Sequence, residues 1–244
     1  MALARYRTRQ PNVSAVKMAS EGSILYGVVH DPRSNAKRGV LMVAAGAYRV
    51  GPHRQFLLLA RDWAAGGIPV MRFDYQGQGD SEGAGAFSFD SLMHDIRSAI
   101  DRFTSAVPGI ERVVLWGLCE AALNSLLYAK SDPRVDGLVL VNPQIDEHLA
   151  GANRPNPSGS IDRFLEVLSA FKGRSLFILS ELDNFAIDVK TNVMKTNAWD
   201  RLVEDSKVAA LHLPTADHNF TRKELRDQVS IGTADWIRSL RDPF

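Results

Sequence analysis

Short apolar runs rich in β-branched residues alternate along this chain with longer amphipathic stretches, and that alternation leaves few folds open. Runs too short for helices and apolar throughout fit strands buried on both faces, which call for a mostly parallel sheet covered by helices on both sides. The candidate strands begin with Ser14–Ala19 and Ser23–Val29, an expected antiparallel pair because only Ser20, Glu21 and Gly22 separate them. Buried runs follow at Gly39–Ala44, Pro69–Asp74, Val113–Trp116, Leu138–Val141, Leu176–Leu179 and Ala209–Leu213. Between them, helical periodicity covers Gln55–Ala65, Phe89–Thr104, Ala121–Lys130, Ile161–Phe171, about Val189–Asp205, and Lys223–Leu240, with the spacing crossover connections require. The expectation is an eight-stranded α/β protein.

At 244 residues the chain can bury one substantial core, and no repeat or Gly-, Ser- or Pro-rich linker divides it, so one domain over residues 1–244 is expected. Gly151–Ser160 (GANRPNPSGS) is the irregular stretch, with prolines and glycines that exclude regular structure. With the helix after it, this stretch forms an expected short lid at about residues 145–173, which would leave a site beneath it exposed. Lys+Arg number 29 against 28 Asp+Glu, which indicates neither a nucleic-acid groove nor a polybasic membrane surface. No apolar run approaches the roughly 18 residues of a membrane span, and the N-terminal segment lacks the apolar middle of a secretory signal, which favours a cytoplasmic location. The single cysteine, Cys119, excludes an internal disulfide and a Cys-based zinc site, leaving a small core residue or a reactive thiol.

Val113–Lys130 (VVLWGLCEAALNSLLYAK) bears most directly on those two roles. An apolar strand, then Gly117-Leu118-Cys119-Glu120-Ala121, then a helix, is the context of a nucleophile elbow of the Gly-x-Ser-x-Gly type, with cysteine in place of serine. Small residues must flank the nucleophile because it sits in a strained turn, and Gly117 and Ala121 meet that demand. The helix N-terminus favours a thiolate, while the neighbouring Glu120 opposes it unless a protonated histidine compensates. Free cysteine is also commonly a small buried residue, so the pentapeptide alone does not decide. Chain order adds weight. Ser175–Asp183 (SLFILSELD) is a strand ending in a carboxylate and Val208–Phe220 (VAALHLPTADHNF) a strand ending in a histidine loop. Nucleophile, acid and histidine follow in that order in hydrolases of this architecture, each past the carboxyl end of a strand. Cys119, Asp183 and His218 comply, with Asp188 a rival for the acid and a helix cap the alternative role for Asp183. His30, His53, His94, His148 and His212 read as structural or surface residues. One oxyanion donor is the N–H of Glu120; the other falls in Ala44–Arg54 (AAGAYRVGPHR), with Ala47 first and Tyr48 next. In DYQGQGDSEG, Glu82 stands where a dinucleotide fingerprint needs its third glycine, so Gly77 and Gly79 serve a turn.

The Gly-rich turn DYQGQGDSEG, the elbow GLCEA, and the segments SELD and ADHNF together resemble the α/β-hydrolase superfamily over nearly the whole chain. More narrowly, Gly39–Gly83 followed by GLCE is similar to the type 1 hydrolases associated with the exosortase A system of bacteria. Those proteins are encoded with exopolysaccharide and protein-sorting genes and carry an elbow cysteine. Ala121 stands where that family has glycine, and the loop after the third strand is a residue short. The reading is a hydrolase of ester, thioester or lactone bonds, with Cys119 attacking, His218 deprotonating it or forming an ion pair with it, Asp183 orienting the imidazole, and a small-molecule acyl substrate. It implies no cofactor, no metal and no stable membrane insertion, and it does not specify an oligomeric state. An acyltransferase with a hydroxyl acceptor and a non-catalytic binding or scaffold protein on the same fold are the alternatives.

Overall fold

The computed structural model describes residues 10–44, 48–83, 89–145 and 157–240. The strands are β1 (Asn12–Ser20), β2 (Ser23–Asp31), β3 (Arg38–Val43), β4 (Val70–Phe73), β5 (Arg112–Leu118), β6 (Val135–Val141), β7 (Arg174–Ser180) and β8 (Val208–Leu213). They form one sheet in the order β1-β2-β4-β3-β5-β6-β7-β8. β1 pairs antiparallel with β2 and β2 antiparallel with β4, while β3 to β8 are parallel. The parallel strands therefore end on one edge, where a doubly wound sheet places its ligand. This is the α/β-hydrolase fold expected from the sequence.

The helices are α1 (Gln55–Ala65), α2 (Phe89–Ala106), α3 (Glu120–Ala129), α4 (Pro157–Ala170), α5 (Asn184–Asp188), α6 (Asn197–Glu204) and α7 (Lys223–Ser239). They cover both faces, and the period of two along each central strand assigns every side chain to one face. Val113 and Leu115 of β5 join a core made with Ile100 of α2, Leu126 of α3 and Phe164 of α4. Val114 and Trp116 join the opposite core, with Phe56 and Trp63 of α1 and Val229 of α7. Burial on both sides is what makes these runs apolar throughout.

Two sequence expectations are corrected. The single helix expected at about Val189–Asp205 is two pieces, a π-helical turn at Val189–Val193 and α6, and it is preceded by α5, which was not expected. Thr196 breaks the run, because its side chain accepts from the N–H of Trp199 and starts α6 afresh as an N-cap. The stretch Gly151–Ser160 is not irregular to its end, since α4 begins at Pro157. A proline in the first helical turn has no N–H to lose, so it starts a helix as readily as it stops one. Of the segment expected as a lid, residues 146–156 lie outside the described residues, whereas α4 is a crossover helix whose Phe164, Leu165, Val167 and Leu168 are buried in the core.

Candidate active site

The elbow starts from β5, whose ladder to β6 continues through Cys119 N–H donating to the Val141 carbonyl at 2.9 Å. Cys119 then adopts φ 61°, ψ −125° and caps α3. Such a conformation costs a non-glycine residue about 1–3 kcal/mol, and it turns the side chain out at the strand end. A side chain on Gly117 would put Cβ 2.4 Å from the Ala121 carbonyl oxygen, so the start of α3 can lie this close to β5 only above a glycine. Ala121 is fully buried in the same contact. The sulfur thus stands half-buried at the N-terminus of a ten-residue helix, with Glu120 as its first residue.

His218 lies in the loop between β8 and α7, and that loop is fastened to the end of β7. Leu182 N–H donates to the Ala216 carbonyl at 3.1 Å and Ser180 Oγ to the Asp217 carbonyl at 3.0 Å. Asn142, just past β6, has no exposed surface, and its amide donates to Ser180 Oγ at 2.9 Å and to the His218 carbonyl at 3.2 Å. Its Oδ1 accepts from the Ser180 N–H at 2.8 Å. Three strand ends therefore hold the histidine in place. His218 Nδ1 meets Asp183 Oδ2 at 2.6 Å. Asp183 also caps α5, its Oδ1 accepting from Ala186 N–H at 2.8 Å, so the cap and the histidine partner are one residue using its two oxygens. Asp188 instead accepts from Asn192 Nδ2 at 2.5 Å.

The structure thus brings Cys119, His218 and Asp183 together. The imidazole is pushed up to about 10, chiefly by its hydrogen bond to Asp183 and next by its hydrogen bond to Cys119, against the cost of partial burial. It is therefore protonated at neutral pH and offers the sulfur a positive charge. Phe185 packs edge-on against the ring, with centroids 5.9 Å apart.

Ala47 lies outside the described residues, and Tyr48 is exposed. Beyond it, Arg49 N–H donates to Asp74 Oδ1 at 2.7 Å, its guanidinium pairs with Asp74 and Asp80, and its carbonyl accepts from Arg72. The loop after β3 is tied in this way to the turn after β4, where Gly77 and Gly79 take positive φ as expected of turn glycines. His30 is buried against Arg72, with its pKa lowered to about 4 by burial and then by Arg72 and Arg61. His53 and His212 are exposed, and His94 stands 3.6 Å from Glu21 on the surface; His148 lies outside the described residues. No group of described residues could hold a metal ion, and no helix among them is long and apolar enough to cross a membrane.

Sequence reasoning missed Asn142, Ser180 and Gln144. Gln144 Oε1 accepts from Cys119 Sγ at 3.2 Å. The available signal was the polar Asn142-Pro143-Gln144 immediately past the carboxyl end of the strand run Leu138–Val141.

A thiol at a strand-to-helix elbow, with a histidine and a carboxylate on later strand ends of this sheet, belongs to the α/β-hydrolase class. The chain belongs to the family described as serine aminopeptidase, S33, whose model matches residues 36–213. That name specifies a serine, whereas the elbow here carries Cys119. An esterase of Pyrococcus furiosus superposes with a TM-score of 0.67 at 17% identity, over 93% of this chain and 90% of that one. Est1E of Butyrivibrio proteoclasticus, solved with ferulic acid bound, gives 0.72 at 12% identity over 91% and 98%. Dienelactone hydrolase of Anabaena variabilis gives 0.70 at 18% identity over 96% and 100%. No curated protein sequence matches the chain.

Proposed function

We propose that this α/β-hydrolase cleaves an ester, thioester or lactone through a covalent acyl-enzyme on Cys119. The observation that carries the reading is the imidazole of His218, held by Asp183 at 2.6 Å and raised in pKa by Asp183 and then by the elbow cysteine. The thiolate attacks the carbonyl carbon and forms a C–S bond, and the carbonyl electron pair becomes an oxyanion held by the N–H of Glu120 and, by the sequence expectation, that of Ala47. As the oxyanion collapses, the bond to the leaving oxygen or sulfur breaks and His218 gives that atom its proton. Water then transfers a proton to His218 and attacks the acyl carbon; the C–S bond breaks, releasing the acid and the thiolate. Thioesters and activated esters suit a thiolate better than amides do, so peptide cleavage ranks lower despite the family's name.

The similarity of Gly39–Gly83 and the elbow to exosortase-associated hydrolases supports an enzyme of bacterial exopolysaccharide or exosortase-associated metabolism, and the lack of an apolar span or secretory signal in the sequence supports a cytoplasmic one. We take the chain as one domain in which any lid within the expected range of about 145–173 excludes α4, whose apolar face is in the core. The test is mass spectrometry of the intact protein after incubation with acyl thioesters and p-nitrophenyl esters. An adduct with turnover supports hydrolysis, and an adduct discharged only by an added alcohol would move the reading to acyl transfer. Neither adduct nor turnover across the panel would leave a binding protein on this fold.

A further inference from the structure

The described residues place a second polar group on the sulfur, contributed by neither the α3 elbow nor the histidine loop. Past β6, Asn142 turns the chain at φ 42° with its side chain fully buried, and Ile145 is buried in the core, so Gln144 is presented from a segment anchored on both sides. Its backbone N–H donates to the Cys119 carbonyl at 3.4 Å, and its side-chain Oε1 lies 3.2 Å from Cys119 Sγ. This segment stands outside the carboxyl end of a strand next to β5, where the substrate of a doubly wound sheet is expected.

A carboxamide can serve both forms of this sulfur without changing its own charge. A thiol needs an acceptor for its S–H, a thiolate needs donors, and half a turn about the terminal torsion of glutamine exchanges its oxygen for its NH2. We propose that Gln144 is a catalytic residue whose carboxamide accepts from the Cys119 S–H and, once that proton has left to solvent and the sulfur is an anion beside the imidazolium, turns over to donate to the thiolate that attacks.

The charged surroundings give this a purpose. Beside the sulfur are His218 from the loop after β8, with Asp183 behind it after β7, and Glu120 as the first residue of α3; buried Tyr75, past the end of β4, feels Asp95 and then Glu120. Asp217 turns its carboxylate to Thr221. The imidazolium favours the thiolate and Glu120 opposes it, and an uncharged donor assists the thiolate without neutralising His218 or pairing with Glu120. Once the sulfur is acylated it carries neither proton nor charge, and the amide is released.

The inference rests on Cys119 being the nucleophile, but its test reads thiol ionisation rather than turnover, so the two can fail separately. Cys119 is the only cysteine, so the mass gain on iodoacetamide alkylation of the whole protein reports this sulfur alone. Gln144→Leu should slow alkylation about 2- to 10-fold at about pH 6, the range of one neutral hydrogen bond, and the deficit should close at alkaline pH where the thiolate forms in either protein. Gln144→Glu should slow it about tenfold or more, because a second carboxylate opposes the thiolate. In wild-type protein, the side-chain NH2 resonances of Gln144 should shift with the same pH midpoint as alkylation, a readout that survives if the variants do not fold. Unchanged alkylation profiles in both folded variants, or amide resonances that do not follow the thiol, would overturn the proposal and leave Gln144 as a brace acting through its backbone.

Discussion

Asp183→Asn separates the two tasks of one carboxylate. Asparagine caps a helix about as well as aspartate, so Ala186 N–H keeps its acceptor and α5 keeps its start. What is lost is the negative charge 2.6 Å from His218 Nδ1. A hydrogen bond between charged groups contributes about 1.5–3 kcal/mol when shielded. The His218 side chain is 32% exposed, and screening brings the expected loss to about 1–2 kcal/mol. At about 1.36 kcal/mol per unit, the imidazole should fall from about 10 by about one unit. A histidine raised from 6.5 in the unfolded chain to about 10 in the fold stabilises the protein fully below 6.5, and that contribution fades as pH rises towards 10. Urea denaturation should therefore find the variant about 1–2 kcal/mol less stable than wild type near pH 6, with the gap closing by about pH 10. NMR titration of the His218 ring checks the shift directly. A gap of the same size at both pH values, or a ring that titrates as in wild type, would refute the reasoning and reduce Asp183 to a helix cap.

Cys119→Ser should lose about a hundredfold or more in turnover of the best ester, roughly 2.7 kcal/mol of barrier, with substrate binding little changed; equal rates in the two proteins would remove the thiol from the mechanism. Gly117→Ala places Cβ 2.4 Å from the Ala121 carbonyl, so α3 must shift; denaturation should report a loss of about 1–3 kcal/mol, and iodoacetamide labelling should slow as the helix N-terminus moves off the sulfur. Asn142→Ala strips partners from the Ser180 N–H and the His218 carbonyl, and should cost about 2–4 kcal/mol while lowering kcat more than it changes KM. Unaltered kinetics in a folded Asn142→Ala protein would show that the histidine loop holds itself.

Much of the site was legible because its signals are local. The elbow is a rule about five consecutive residues, in which Gly117 and Ala121 are small because the strand and helix they join nearly touch. The order Cys119, Asp183, His218 is equally a property of the chain, since each follows its own apolar run. Asp183 and Asp188 could not be separated in this way: both lie near one strand end, and only the cap geometry of α5 turns the first of them to the imidazole.

The amino-acid pattern by itself determined the eight strands, the buried faces and the chemical types at the strand ends, because alternation, helical period and turn residues act over a few positions. The sheet order, with β4 inserted between β2 and β3, and the convergence of Asn142, Gln144 and Ser180 on the site were decided only by the tertiary structure. Cys119 and Gln144 are 25 positions apart, and Asn142 and His218 are 76. Contacts at such separations depend on which strands become neighbours and in what register, and that is settled by packing two cores at once rather than by any local preference.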